Sequence, residues 1–314
     1  MPVRIRSFGG PLTWFLRKHF SGTTSKWMLV FAAESYKRVT RKYIAYFMNQ
    51  KDTPVFANCM IETVNRCNGT CEFCPANTED ESRPFKKMPD EVYYGIIRQL
   101  KEMQWKGKLY LSINNEPFLD KRIVRFAEYA KENLPGIQTS LVSNGTLLTP
   151  EKMDEMAGIV DEIVINDYSE KYALSGQHKA VYQHVKRNRK RFSGMSVTIN
   201  RRYRREILAT RAGNAPNKPV KNNKVSTPCI YPFLDLFIFP DGQAGMCCND
   251  CLEKSHFGDA AGEPLLEIWN GEKFRKLREA MAGGGRNSYP FCRECDVVDA
   301  GEREAYIRSV LKRV

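Results

Sequence analysis

The sequence predicts an α/β fold, a partial barrel of six strand-helix units followed by a small cysteine-rich C-terminal domain. Three observations predict it. Short β-branched runs alternate with longer amphipathic stretches from residue 57 to about 201, within a core domain taken as 57–212, the pattern of a parallel sheet covered by helices. The ten cysteines are clustered. Between the clusters the run GNAPNKPVKNNKVST, Gly213 to Thr227, has no hydrophobic period and reads as a linker, taken as 213–228.

Composition narrows the class. With 314 residues, 42% apolar and 27% charged, the chain is ordinary globular protein, which excludes disorder, collagen and a disulfide miniprotein. A core of that size needs no stapling, so the cysteines point to metal ligation in a reducing cytoplasm. No run approaches the roughly 20 apolar residues of a membrane span.

Residues 1–56 form a basic N-terminal extension, in which the first 50 residues hold nine basic side chains and one acid, Glu34. Trp14, Trp27, Phe31, Tyr43 and Phe47 are interleaved with that charge. Such a helix packs its aromatic stripe on the main domain, or makes peripheral contact with an anionic membrane surface. Nucleic acid is not the expected partner.

In the core, strands are predicted at Met60 to Val64, Leu109 to Ile113, Thr139 to Val142, Ile163 to Ile165 and Val197 to Ile199. A helix follows Pro89 and Asp90, where Val92, Ile96, Leu100 and Met103 recur at helical spacing. Others follow Asp120, read as an N-cap, and Thr149-Pro150, a cap with a first-turn proline. Folds of this kind place their chemistry at the C-terminal strand ends.

The loop after the first predicted strand carries Cys67, Cys71 and Cys74 in a CxxxCxxC array. Three thiolates so close can hold three irons of one cubane and leave the fourth iron open for chemistry. A zinc knuckle completed by a distant ligand is the alternative. The array, with aromatic Phe73 before the last cysteine, resembles the radical SAM superfamily. The resemblance implies that the three cysteines hold a 4Fe-4S cluster, that S-adenosylmethionine chelates its open iron, and that one-electron reduction releases a 5'-deoxyadenosyl radical. It extends to Asn115, Glu116 and Pro117, in the place of the family's Gly-Gly-Glu-Pro with both glycines replaced by Asn. By the same resemblance Ser143 and Asn144 in Ser-Asn-Gly, Asp167, and Arg201 in the pair Arg201-Arg202 are expected to face the cofactor or substrate. His19, His178, His184 and His256 show no paired ligand spacing and are read as surface or helix residues.

The C-terminal domain, 229–300, offers two ligand sets. Cys248, Cys251, Cys292 and Cys295 form two CxxC pairs that suit a zinc ribbon. Cys229, Cys247, Cys292 and Cys295 instead resemble the short SPASM or twitch extension of radical SAM enzymes, with Phe239-Pro240-Asp241-Gly242 turning a hairpin and Leu265 to Asn270 before the terminal CxxC. That resemblance implies a second, fully ligated 4Fe-4S cluster acting as an electron sink, and leaves Cys248 and Cys251 spare. Cys59, inside the first strand, reads as an inert buried thiol. A tail helix, 301–314, closes the chain.

Four functions fit. Dehydrogenation of a sugar or cyclitol carbinol, the substrate anionic in view of the net charge of +13, leads. Epimerisation with Cys248 as catalytic hydrogen-atom donor is second, modification of a ribosomal peptide third, and a non-catalytic zinc or RNA-binding protein fourth. The first three need a one-electron donor such as flavodoxin or ferredoxin.

Overall fold

A computed structural model describes residues 3–7, 23–77, 83–169, 174, 176–218, 225, 227–298 and 302–313, without the side chains of 7 and 23–33. The elements run β1 (Val3–Ser7), α1 (Thr23–Met48), β2 (Asn58–Ile61), α2 (Asp90–Glu102), β3 (Lys108–Tyr110), α3 (Ile123–Asn133), β4 (Gln138–Ser143), α4 (Pro150–Met156), β5 (Glu162–Tyr168), α5 (Gly176–Arg187) and β6 (Ser196–Arg202). After these come α6 (Tyr231–Leu234), β7 (Asp235–Ile238), β8 (Gln243–Gly245), β9 (Gly258–Asp259), α7 (Leu265–Asn270), α8 (Glu272–Gly283) and α9 (Glu302–Leu311). The α/β class is borne out.

One sheet in the order β1-β6-β5-β4-β3-β2-β7-β8-β9 contains every strand. Its pairs are parallel from β1 to β7, and β8 and β9 add antiparallel strands. All five predicted core strands are present, but β2 and β3 start earlier and end sooner than expected. After Glu62, whose N–H still bonds Ile238 O, the chain leaves the ladder for the cysteine loop, and Val64 makes an isolated bridge to Lys87. The sixth parallel strand comes from the N-terminal segment, where Val3 to Ser7 run beside Val197 to Arg201. Val3 and Ile5 alternate with Arg4 and Arg6, a period-two pattern that the reading of residues 1–56 as a basic helical extension passes over.

Strand alternation sorts the two faces. Cys59, Ile61, Leu109, Leu141, Ile163, Ile165, Val197 and Ile199 are buried under the helices. Opposite positions carry Glu62, Ser112, Ser140, Asn166, Thr198 and Asn200, a polar face also buried within the fold. Helix α2 contributes Tyr93, Ile96, Ile97 and Leu100, and α3 stacks Phe126 on Tyr93 at 4.1 Å between ring centroids.

Thr149 caps α4 as expected, accepting from Lys152 N at 3.2 Å. Asp120 does not cap α3. A turn at Pro117–Leu119 takes up the preceding residues, so α3 begins at Ile123 with Arg122 at its N-cap position. The Asp120 carboxylate instead accepts from Arg122 N and from its guanidinium.

The visible half of α1 is core rather than appendage. Tyr36, Tyr43, Ile44 and Phe47 are buried, and Phe47 meets Phe233 edge-on at 5.2 Å. Trp14 and His19 lie outside the described residues, as do the side chains of Trp27 and Phe31. Helix α9 covers the N-terminal strand ends through Lys108–Glu302 at 2.5 Å and Arg303–Asp235 at 2.7 Å. No helix among the described residues is long and apolar enough to cross a membrane. Phe47→Ala should cost roughly 3–5 kcal/mol, read as a lower urea midpoint; an unchanged midpoint would mean that α1 is dispensable to the core.

Candidate functional site

The C-terminal ends of β2 to β6 carry the residues singled out by sequence. Asn65 anchors the loop after β2: its Nδ2 donates to Pro84 O at 3.0 Å, and its Oδ1 accepts from Lys86 N at 2.9 Å. Arg66 adds a bond from Nη2 to Arg83 O at 2.6 Å. On that base Cys67, Cys71 and Cys74 lie together and only partly buried. Gly69 N approaches Cys67 Sγ at 3.3 Å, and a Cβ on Gly69 would stand 3.3 Å from the same sulfur. Burial, with a smaller contribution from the neighbouring cysteines, pushes the Cys67 thiol up to about 11 and the Cys71 thiol up to about 12. Metal loading must therefore release protons.

Phe73 is buried against Tyr168 at 5.5 Å between centroids. Glu116, wholly buried, accepts from Ser143 Oγ at 2.8 Å, Asn144 N at 2.7 Å and Phe118 N at 3.3 Å. Burial raises its carboxyl, and those donors offset part of the rise. Its carboxylate thus ties the end of β4 to the turn containing Pro117. Asn115 Oδ1 accepts from Ile113 N at 3.1 Å, while its buried Nδ2 has no partner. Asn144 Nδ2 reaches Cys67 Sγ at 3.6 Å and Asn68 Oδ1 at 2.8 Å. Arg201 stands in register with Asp167, whereas Arg202 pairs with Glu206 at 2.6 Å.

Three residues here escaped the sequence reading. His178, read as a surface or helix residue, lies on α5 and is buried; its Nε2 meets Asn144 O at 2.7 Å and its Nδ1 stands 3.5 Å from Asp167 Oδ1. Gly145, at φ +75°, leaves it room, since a Cβ there would lie 2.5 Å from Nε2. Arg211 enters from the predicted core boundary, with Nη1 3.2 Å from Asn114 Oδ1 and 4.0 Å from Cys74 Sγ. Asn114 in turn donates to Cys248 O at 3.0 Å, so a single amide joins the strand end to the C-terminal cysteines.

The third is Arg286, beside the second set of thiols. Cys229, Cys247, Cys292 and Cys295 line one small cavity together with Tyr231, Met246, Leu277, Phe291 and Arg286. Cys248 and Cys251 are not part of its wall. Burial pushes the Cys248 thiol up to about 12 and that of Cys251 up to about 11, and Cys251 Sγ donates to Asn249 O at 3.4 Å. Among the described residues no three Cys, His, Asp or Glu side chains converge as a single-ion site would require. Four thiols around a cavity suit a cluster with several irons.

Comparison with known proteins agrees with this arrangement. Residues 61–166 match the radical SAM superfamily and residues 229–296 match the SPASM iron-sulfur cluster-binding domain. The two segments together exceed half of the chain. This chain is a radical SAM enzyme with a SPASM domain. Its cofactors are S-adenosylmethionine and iron-sulfur. It is 23% identical over 254 residues to the S-adenosyl-L-methionine-dependent 2-deoxy-scyllo-inosamine dehydrogenase of Niallia circulans, covering 80% of this chain and 97% of that protein. The crystal structure of BtrN with AdoMet and 2-DOIA superposes with a TM-score of 0.67 at 20% identity, over 78% of this chain and 94% of that one. Native anSMEcpe with bound AdoMet reaches 0.50 at 12% identity, over 81% and 95%. At these identities the structures establish a shared fold.

Glu116→Gln should leave the iron content unchanged and weaken S-adenosylmethionine binding about tenfold, because a charge-assisted bond of about 1.5 kcal/mol that places Ser143 and Asn144 is lost. Equal affinity in calorimetry would show that the turn holds its shape without the carboxylate.

Proposed function

We propose that this radical SAM enzyme dehydrogenates a carbinol of a sugar or cyclitol, using two 4Fe-4S clusters. The observation that carries the reading is the division of seven thiols into two different sites. Cys67, Cys71 and Cys74 form a partly open set at the end of β2, suited to a cluster with one iron free for S-adenosylmethionine. Cys229, Cys247, Cys292 and Cys295 enclose a cavity, suited to a cluster without a free iron. When loaded, the first would hold S-adenosylmethionine and supply the electron that cleaves it to methionine and a 5'-deoxyadenosyl radical, and the second would supply an electron sink.

The chain's own residues hold and orient. Phe73 and Tyr168 shield one side of the three-thiol loop, and water must be kept from a primary radical. Asn115, Glu116, Pro117, Ser143 and Asn144 shape the cofactor's wall, with Asp167 and Arg201 at the next two strand ends. The polar face formed by Ser112, Ser140, Asn166, Thr198 and Asn200 supplies donors and acceptors for a hydroxylated substrate. Arg211 supplies a cation between the three-thiol loop and the spare pair Cys248 and Cys251, since it interacts with Cys74, Cys251 and Cys248, and it favours a substrate bearing an anionic group.

The named relative, a dehydrogenase of an aminocyclitol, supports oxidation over inversion, and so does a cavity built to hold a sink. A flavodoxin or ferredoxin in a reducing cytoplasm would supply the first electron.

The experiment is anaerobic reconstitution followed by reduction with S-adenosylmethionine present. Wild-type protein should carry about eight irons per chain and form 5'-deoxyadenosine. Replacing Cys67, Cys71 and Cys74 together by Ala should leave about four irons and no 5'-deoxyadenosine, while Cys229→Ala should lose the other four and keep cleavage. Undiminished 5'-deoxyadenosine in the triple variant, or zinc bound at the four-thiol cavity, would overturn the assignment.

A further inference from the structure

Two arginines are buried in the C-terminal part, and their surroundings differ. Arg278, on α8, lies over the Trp269 ring at 4.0 Å, donates to Pro232 O and Trp269 O at 2.8 Å, and is pushed down to about 9 by burial. It is a packing residue.

Arg286 follows the glycine run 283–285, where Gly285 turns at φ +67° and delivers the side chain inward. Its Nε donates to Thr227 O at 2.9 Å and its Nη2 to Val297 O at 2.6 Å. The third arm, Nη1, meets Cys295 Sγ at 3.2 Å and Cys295 O at 3.4 Å. All these partners are carbonyls and one sulfur, and among the described residues no carboxylate pairs with the guanidinium. A cluster held here would set its ligating thiolates against this guanidinium, because Nη1 already meets Cys295 Sγ.

A buried positive charge and an N–H donated to a ligating sulfur both favour the more reduced, more negative state of a cluster. We propose that Arg286 sets the reduction potential of the cluster held by Cys229, Cys247, Cys292 and Cys295, raising it so that this cluster accepts an electron. The inference rests on the two-cluster reading above. Arg286 acts through the ligand sulfur and the local field, and is a positioning and tuning residue. Three of its bonds also tie the Cys295 loop to Thr227 and Val297, so the fork fixes sulfur orientation as well as charge.

The test is a potentiometric titration, followed by electron paramagnetic resonance, of reconstituted wild-type, Arg286→Gln and Arg286→Lys protein. In the Gln variant the reduction equilibrium of the second cluster should fall at least tenfold, about 59 mV for one electron, while the midpoint of the first cluster stays where it was. The Lys variant, which keeps a charge without the fork, should lie between. Equal second-cluster midpoints in all three proteins would overturn the inference. If Arg286→Gln fails to hold the second cluster, Arg286→Lys decides: a wild-type midpoint in it refutes tuning by the fork, and a lowered midpoint supports it. Wild-type protein with only four irons, or with zinc, would instead refute the two-cluster reading on which the inference stands.

Discussion

The parallel pairing of β2 with β7 is the constraint on which both cysteine sites depend. Asn58 to Ile61 run beside Asp235 to Ile238. The ladder continues past both ends, from Ala57 N to Leu234 O at 2.8 Å and from Glu62 N to Ile238 O at 2.9 Å. Asn58 Nδ2 donates to Asp235 Oδ1 at 2.5 Å and locks the register, which matters because a one-residue slip would turn every side chain to the other face. The chain leaving β2 becomes the three-cysteine loop. The chain leaving β7 turns through Gly242, at φ +84°, and returns along β8 to Cys247. One backbone ladder therefore sets the separation of the two sites, joining Asn58 to Asp235, 177 positions apart in sequence.

Side-chain ties reinforce that ladder where the loops diverge. Arg83 and Glu253 form a buried pair at 2.8 Å, and Lys86 joins Glu253 at 3.0 Å and Asp241 at 2.5 Å. Asn114 and Arg211 bridge the same gap nearer the thiols. Buried pairs add little net stability but are costly to break, so their effect here is to hold two loops in one geometry. Electron transfer between sites needs that constancy more than it needs a few kcal/mol.

Much of this was legible because it is local. Period-two runs gave the five core strands, and Thr149-Pro150 marked a helix start. Spacing alone left two sets of four cysteines open, and the resemblance to the SPASM or twitch extension favoured the four thiols that share a cavity. What was not legible depends on distant partners. Val3–Ser7 alternates with period two, but its pairing with β6 is not local. His178 is buried because Gly145 and Asp167, far away in sequence, make room and a partner for it. Arg211 and Arg286 sit in a linker boundary and a glycine-rich turn, where a basic residue normally faces water. Asp120 misled for a different reason: a proline turn consumed the residues that would have opened the helix.

The central claim is that the chain holds two unlike clusters, one with an iron open to S-adenosylmethionine and one without. Electron paramagnetic resonance of the reduced, reconstituted protein, recorded with and without S-adenosylmethionine, tests it most directly. Two overlapping cubane signals are expected, of which one changes its g-values on addition of S-adenosylmethionine and the other does not. A single signal, or two signals that both ignore S-adenosylmethionine, would contradict the account.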